Sequence, residues 1–424
     1  MKITAVRVTP IAISDPPLLN ASGVHEPYAL RSIIEVETDN GLIGLGETYG
    51  DKPVLDGLLR VKDALVGLSP FDLNGLWQRV LAASKNDSRR SAANVELDLA
   101  PGSYASNAER KLFGGFEVAL LDVQARSLGV PVHELLGGAV RRQVPFSAYL
   151  FFKFSSDIDP SYRRDAWGEV LDAEQLVGEA RTMIERYGFG SIKLKAGALA
   201  PDHEVDCLKA LKRAFPQHPL RIDPNANWSL ETAKRMAQRL QGDLEYYEDP
   251  TPGLEGMAEL HKATGLPLAT NMVVTDMEEF RRNVTLNGVQ IVLSDHHYWG
   301  GLRATQVLAT MCDTFGLGLS MHSNSHLGIS LMAMSHLAAA VPNLTYACDT
   351  HYPWQDEEVI KGGKIAIENG CVTITDAPGL GVELDRDALG ALHEQYLRCG
   401  IESRDDVAQM RKFRPDWTRV KPRF

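Results

Sequence analysis

Between Val144 and Asp349, short apolar runs alternate with amphipathic stretches, and this alternation is the strongest pattern in the chain. The runs are Val144–Phe151, Ser191–Leu194, Leu220–Asp223, Leu244–Glu248, Pro267–Asn271, Val289–Asp295, Gly318–His322 and Thr345–Asp349. Between most of them, apolar positions at helical spacing predict helices over Ala173–Tyr187, His203–Ala214, Leu230–Leu240, Gly256–Thr264, Met277–Asn283, Arg303–Phe315 and Ile329–Ala340. Eight strand candidates separated by helices predict an α/β chain, and a parallel barrel rather than an open sheet.

The flanks read differently. Residues 1–50 predict an antiparallel meander: strands Lys2–Pro10 and Arg31–Thr38, a tight turn at Asp39-Asn40-Gly41, and a strand over Leu42–Glu47. Between the first two strands lies a polar, small-residue loop, Leu19–His25. Gly44 and Gly46 form a G-x-G, but the third glycine and helix start of a dinucleotide site are missing. Helices are predicted over Val54–Leu68, Pro70–Ala83 and Ala108–Leu128, with a polar excursion between the last two. The first domain ends near Gly137-Gly138. Beyond the barrel the pattern predicts a hairpin at Lys364–Ile374, a helix at Arg386–Cys399 and a basic, irregular tail.

Composition adds exclusions. The chain has 424 residues, 44% of them hydrophobic and 23% charged, which suits about two globular domains. A net charge of −11 argues against non-specific binding to nucleic acid or to an anionic membrane surface, so an anionic substrate needs a local positive cluster. The five cysteines are scattered and form no C-x-x-C pair, which fits a reducing compartment and neither a disulfide framework nor a zinc site. The N-terminus has no signal-peptide h-region and no apolar run reaches transmembrane length, so a soluble cytoplasmic protein is expected.

Candidate chemistry collects at the downstream ends of the barrel strands, the face on which such barrels place active sites. Lys193 and Lys195 end the second strand two residues apart and point to one side. Paired ammonium groups in an apolar setting repel and lose hydration, which predicts a lowered lysine pKa and a base beside an anion-binding cation. Asp223, Glu248 and Asn271 end three successive strands, each offering an oxygen, and hard oxygen donors with room for water and substrate suit Mg²⁺. A metal beside a base is what removal of a proton alpha to a carboxylate requires. His322 ends the seventh strand and Asp295 the sixth, and a carboxylate on one ring nitrogen fixes the tautomer and raises basicity. His296, His297 and His326 are read as structural or supporting.

Taken together, the K-x-K pair, the ligands Asp223, Glu248 and Asn271, the dyad Asp295–His322 and the run from His322 to Ser330 resemble the enolase superfamily, and within it the glucarate dehydratase branch. Asparagine as third ligand is a feature of that branch, where others more often use an acid. The likeness extends to Ala119–Gly138, Tyr149–Phe152, Asp349-Thr350-His351 and Ser403–Asp406, almost end to end. It implies a modified (β/α)₇β TIM-like barrel with an α+β capping domain: residues 1–135 as cap, 136–385 as barrel, and 386–424 returning to the cap. It implies Mg²⁺-dependent dehydration of a six-carbon diacid sugar, D-glucarate or L-idarate, to 5-dehydro-4-deoxy-D-glucarate. Lys195 and His322 would be bases on opposite faces. Protonated His322 would be the acid for the departing hydroxyl, and Lys193 the cation at the substrate carboxylate. Substrate contacts implied are Asn20, His25, Tyr149, Asn225, Asn324, His351 and Arg404, the last on the distal carboxylate. A homo-oligomer is expected. The polar stretch Lys85–Glu109 is longer than the family pattern, which leaves open another acid sugar such as galactarate or an aldonate. A low-activity accessory member is the other alternative, against which intact Lys195, Asp295 and His322 speak.

Overall fold

The computed structural model describes residues 1–84 and 107–424, so all of the polar 85–109 stretch except its last three residues lies outside what is described. The chain opens with strand β1 (Ile3–Ser14), a small hairpin of β2 (Leu19–Asn20) and β3 (Gly23–Val24), then β4 (Tyr28–Thr38) and β5 (Ile43–Tyr49). β4 pairs antiparallel with both β1 and β5. The predicted turn is present: Gly41 takes φ +79° and its N–H donates to Thr38 O at 2.9 Å. Helices α1 (Lys52–Lys62), α2 (Leu73–Ser84) and α3 (Ala108–Leu128) cover this sheet. Leu58, Leu76, Val80, Phe116 and Leu120 meet Ile34 and Val36 in an apolar centre of their own. Gly44 and Gly46 serve this packing rather than a nucleotide. A Cβ there would sit 2.1 Å from Ala119 O and 2.5 Å from Gly115 O, so the glycines let β5 press directly onto the α3 backbone.

After α4 (Val132–Leu135) and β6 (Gln143–Pro145), the α/β alternation begins at β7 (Ala148–Phe151). It continues through α5 (Ala173–Tyr187), β8 (Ile192–Lys195), α6 (Pro201–Ala214), β9 (Leu220–Asp223), α7 (Leu230–Leu240), β10 (Leu244–Glu248) and α8 (Leu254–Thr264). Then come β11 (Leu268–Thr270), α9 (Met277–Leu286), β12 (Ile291–Ser294), the short α10 (His296–Trp299), α11 (Gly301–Thr314), β13 (Gly318–Met321) and α12 (Gly328–Ala340). Strands β7 to β13 form one parallel sheet in chain order. Side-chain caps set several helix starts; α5 begins with a capping box in which Asp172 and Gln175 satisfy each other's backbone N–H.

The eighth strand predicted at 345–349 is a bridge, not a regular strand. Thr345 N and Asp349 N donate to Leu319 O and Met321 O on one side, and Cys348 exchanges bonds with Pro145 and Ser147 on the other. The ring is closed through this segment. The predicted hairpin at 364–374 is present in its smallest form: Glu368 and Cys371 exchange both backbone bonds at 2.9 Å across the turn Asn369-Gly370, and β14 (Cys371–Thr373) then pairs antiparallel with β6. The C-terminal chain then crosses back to the cap. α13 (Arg386–Cys399) lies on β1, with His393 and Gln395 reaching Pro10 O and Ala12 O at 2.7 and 2.9 Å. The tail expected to be irregular contains α14 (Asp406–Phe413), capped by Asp405 and packed so tightly on β3 that a Cβ at Gly23 would lie 2.4 Å from Asp406 O. Among the described residues no helix is long and apolar enough to cross a membrane.

Candidate active site

Lys193 and Lys195 project from β8 into a buried cluster rather than onto a charged edge. Lys193 Nζ lies 2.6 Å from Asp349 Oδ2 and 2.7 Å from Glu248 Oε1, and Lys195 Nζ lies 2.6 Å from Asp223 Oδ2 and 2.5 Å from Asn225 Oδ1. Burial works against charge on Lys193, but Asp349 and Glu248 outweigh it and hold the ammonium well above the ordinary lysine value. The predicted lowering is therefore reversed at Lys193, because carboxylates and not its neighbouring lysine dominate its surroundings. Burial and the nearby charges of Asp223 and Asp349 push the Glu248 carboxyl well up. Asp223 is held below its usual range by the lysines, against the opposing effect of burial.

The backbone turns sharply where these acids leave their strands. Asn225 and Ala226 after β9 take φ +56° and +58°, and Asp249 after β10 takes +36°, a region non-glycine residues seldom occupy. Such strain persists only where surrounding contacts hold it, and it concentrates at working sites. Asp249 is held by Thr270 Oγ1 and by the N–H of Asn271 at 2.9 Å, so it aims the next residue of the cluster; burial lifts its carboxyl to about 7.

That residue, Asn271, is where a cation fits. Its Oδ1 and Nδ2 are both buried and without a hydrogen-bond partner, a costly arrangement for an amide unless something occupies the space before it. Asp223 and Glu248 end the adjacent strands β9 and β10 and Asn271 directly follows the next, β11, so their oxygens offer a hard donor set suited to a divalent ion of the Mg²⁺ class.

Across the ring, His322 Nδ1 lies 3.2 Å from Asp295 Oδ2. Burial raises the Asp295 carboxyl, yet the His297 and His322 imidazoles bonded to it hold it well below the usual range. An ionised carboxylate only accepts, so His322 Nδ1 carries a proton and Nε2 is left as the basic nitrogen. Burial lowers the His322 pKa, and the bond to Asp295 opposes it.

The remaining candidates join these two groups. The Tyr149 ring lies under Lys193, 4.7 Å from Nζ, and edge-on to His351 at 4.9 Å. His351 stacks on His25 at 6.4 Å, and its Nδ1 is buried without a partner. His25 bonds Asp15 at 3.0 Å. Arg404 grips Asp406 through Nε and Nη2 at 2.6 and 2.7 Å, leaving Nη1 3.8 Å from Asp15. Asn20 Nδ2 donates to the same Asp406 at 2.7 Å, and Asn324 Nδ2 donates to Tyr49 Oη at 3.1 Å.

Three contributors were not singled out by sequence reasoning. Asp349, at the end of the eighth stave, occupies the same kind of strand-end position as Asp223, and pairs with Lys193 at 2.6 Å. Asp406 gathers Asn20, Arg404 and the N–H of Glu26, and the adjacent Arg-Asp-Asp run was its one visible sign. His297, read as supporting, lies 2.7 Å from Asp295, closer than His322 does.

The chain matches the model of the mandelate racemase / muconate lactonizing enzyme N-terminal domain over residues 2–137 and that of the enolase C-terminal domain-like family over 175–388. A probable glucarate dehydratase of Streptomyces coelicolor is 50% identical over 421 residues, 98% of this chain and 97% of that protein. A D-xylonate dehydratase of Haloferax volcanii is 26% identical over 385 residues, 85% of this chain and 84% of that one. An enolase structure from Pseudomonas fluorescens with bound magnesium, potassium and tartrate has a TM-score of 0.97 at 68% identity, over 100% of this chain and 99% of that chain. Another, from Thermobispora bispora with magnesium and formate, has a TM-score of 0.94 at 48% identity over 100% of both chains.

Proposed function

The chain belongs to the enolase superfamily, and from that premise we propose that it is a Mg²⁺-dependent hydro-lyase that dehydrates D-glucarate, and its epimer L-idarate, to 5-dehydro-4-deoxy-D-glucarate. The observation that carries the reading is the orphaned Asn271 amide just after the strand that follows those of Asp223 and Glu248, on a ring that also carries the lysine pair and the His–Asp dyad. The 50% identity with a probable glucarate dehydratase and the magnesium in similar solved structures support it. In this reading residues 1–135 and 386–424 form the lid and 136–385 carry the chemistry.

Asp223, Glu248 and Asn271 would hold Mg²⁺. What the ion supplies there is electrostatic stabilisation of the charge that builds on the substrate carboxylate as the alpha proton leaves. Lys193, kept cationic by its carboxylate neighbours, faces that same charge. Lys195 takes the alpha proton from one face and His322 Nε2 from the other, according to the stereochemistry at that carbon. On the ring β8 and β13 are separated by β7 and the 345–349 segment on one side and by four strands on the other, which supports approach of the two bases from different directions. His322, protonated by the alpha proton on its own route or from solvent on the Lys195 route, and with its charge balanced by Asp295, then gives that proton to the departing β-hydroxyl, which leaves as water. Asn225 steadies Lys195, while Tyr149, His351, His25, Asn20, Asn324 and Arg404 line the substrate's length.

One observation favours a second reading, dehydration of an aldonate, which has no distal carboxylate: with Nε and Nη2 of Arg404 on Asp406, only Nη1, 3.8 Å from Asp15, is left for such a group. The test is direct. Pure protein with Mg²⁺ is expected to release a 2-keto acid from D-glucarate, trapped with semicarbazide. Turnover of another acid sugar with none of glucarate or idarate would sink the substrate assignment.

A further inference from the structure

The His–Asp dyad does not end at Asp295. Asp295 Oδ1 accepts from the His297 backbone N–H at 2.9 Å and lies 2.7 Å from His297 Nδ1. On the other side of that ring, His297 Nε2 lies 3.0 Å from Arg31 Nη2 and 2.9 Å from Ser330 Oγ. Arg31 Nε in turn donates to Glu47 Oε1 at 3.0 Å, and the Glu47 carboxylate accepts the N–H groups of Leu327 and Ser330 at 2.8 and 2.9 Å. Every member is buried. Arg31 and Glu47 belong to the cap strands β4 and β5, so the chain of bonds runs from the cap sheet to the candidate base.

Two ends of this chain have fixed roles. A guanidinium has donors only, and an ionised carboxylate has acceptors only. These two partners together are satisfied in one way: Nδ1 protonated toward Asp295, and Nε2 unprotonated toward Arg31, with the Ser330 hydroxyl, which can donate or accept, following the ring. A second proton on His297 would set its Nε2–H against an Arg31 N–H and place two cations in contact within a dry site.

We propose that Arg31 is a positioning residue that holds His297 as the neutral Nδ1–H tautomer, so that the charge of Asp295 serves His322. A neutral His297 orients the carboxylate without cancelling it. A doubly protonated His297, 2.7 Å from Asp295 and nearer than His322, would pair with it and leave His322 a weaker base and a poorer proton carrier. The ionisable groups facing His297 agree with this assignment. Besides Asp295 and Arg31 they are Glu47 and Tyr49 from β5, Lys111 from α3 with Nζ 5.3 Å over the Tyr49 ring, His296 beside it with ring centroids 4.0 Å apart, and His326, which precedes α12. Glu47 is spent on Arg31 and on two backbone groups, and burial keeps the pKa of His296 and His326 well below the usual histidine value. Among the described residues, Asp295 draws a proton toward His297, while Arg31 in direct contact, and Lys111 farther off, oppose a second.

The tautomer itself is independent of substrate, whereas its catalytic consequence rests on the dehydratase reading. Full-length protein carrying ¹⁵N-histidine, observed by two-bond ¹H–¹⁵N correlation at neutral pH, is expected to show His297 as the neutral Nδ1–H form, with the signal assigned by its loss in His297→Asn. In Arg31→Met the same ring is expected to acquire the imidazolium signature, and the His322-dependent rate to fall about tenfold or more, the usual scale for losing an orienting partner. Because Arg31→Met strands the Glu47 charge, Arg31→Met/Glu47→Gln removes both charges and gives the same spectral shift where the single variant does not fold. An Nε2–H or imidazolium ring in the unaltered protein, or a His297 spectrum unchanged by loss of Arg31, overturns the inference. Absence of acid-sugar turnover would instead overturn the functional reading, and leaves a neutral Nδ1–H His297 standing as support for the role of Arg31.

Discussion

The two sides of the candidate site are built on opposite principles. On the lysine side, two buried cations meet Asp223, Glu248 and Asp349 at 2.6–2.7 Å, and every partner comes from the barrel itself. On the histidine side, a single carboxylate is shared by two imidazoles, and its outermost supports, Arg31 and Glu47, come from the cap. The first is a dense charge cluster whose members set one another's protonation. The second is a directional chain in which donor and acceptor identities decide where one proton sits. Dense charge suits a cation site and a persistent ammonium, whereas a directional chain suits a group that must take up and release protons. Among the described residues the cap therefore has a path to one base and none of that kind to the other.

Chelation separates the two sides most strongly. EDTA is expected to abolish dehydration and Mg²⁺ to restore it, while the thermal midpoint rises with Mg²⁺ as linkage requires. The His297 tautomer should not respond. Activity indifferent to chelation would remove the ion from the lysine side.

A smaller effect is expected at the cap end of the substrate. Asp406→Asn weakens the grip on Arg404 and Asn20 without touching either base, so KM should rise about tenfold, worth about 1.4 kcal/mol, with kcat nearly kept. A fall in kcat at constant KM would mean that Asp406 acts on the chemistry rather than on binding.

The smallest effect serves as a control outside both sides. Glu179 on α5 is fully buried, accepts the Phe151 N–H at 3.2 Å, and is lifted by burial to about 8. The folded chain keeps this proton where the unfolded chain releases it, so its contribution is complete below about 4.5 and is lost as pH rises to about 8. Glu179→Gln should flatten that part of the stability profile in thermal melts between these limits and leave the pH dependence of turnover unaltered. A profile as steep as before would show that the carboxyl is already ionised in the fold.

What could be read from sequence follows the same division. Helices α5, α7 and α13 match their predicted spans, because apolar periodicity and caps are local signals. Strand ends were legible because a barrel places them all on one face, which brought Lys193, Lys195, Asp223, Glu248, Asn271, Asp295 and His322 into view. The eighth stave is a bridge where a strand was expected, and the pairing of β14 with β6 is not visible in sequence, because both are set by distant backbone, Leu319 and Pro145 in one case and β6 in the other. Helix α14 was hidden in a basic stretch whose apolar contacts lie on β3 and not within itself. Arg31 and Glu47 were harder still. Each reads as an ordinary polar position on a cap strand, and the partner that gives Arg31 a role, His297, lies 266 residues away. No local pattern encodes a proton's position in a chain of bonds assembled from four separate segments.

The central claim is that two bases on opposite sides of one site divide the work. His322→Asn, incubated in D₂O with D-glucarate and Mg²⁺ and followed by ¹H NMR, tests it most directly. The account predicts that dehydration stops while Lys195 continues to exchange the alpha proton for deuterium. Loss of dehydration with no exchange at that carbon would contradict it.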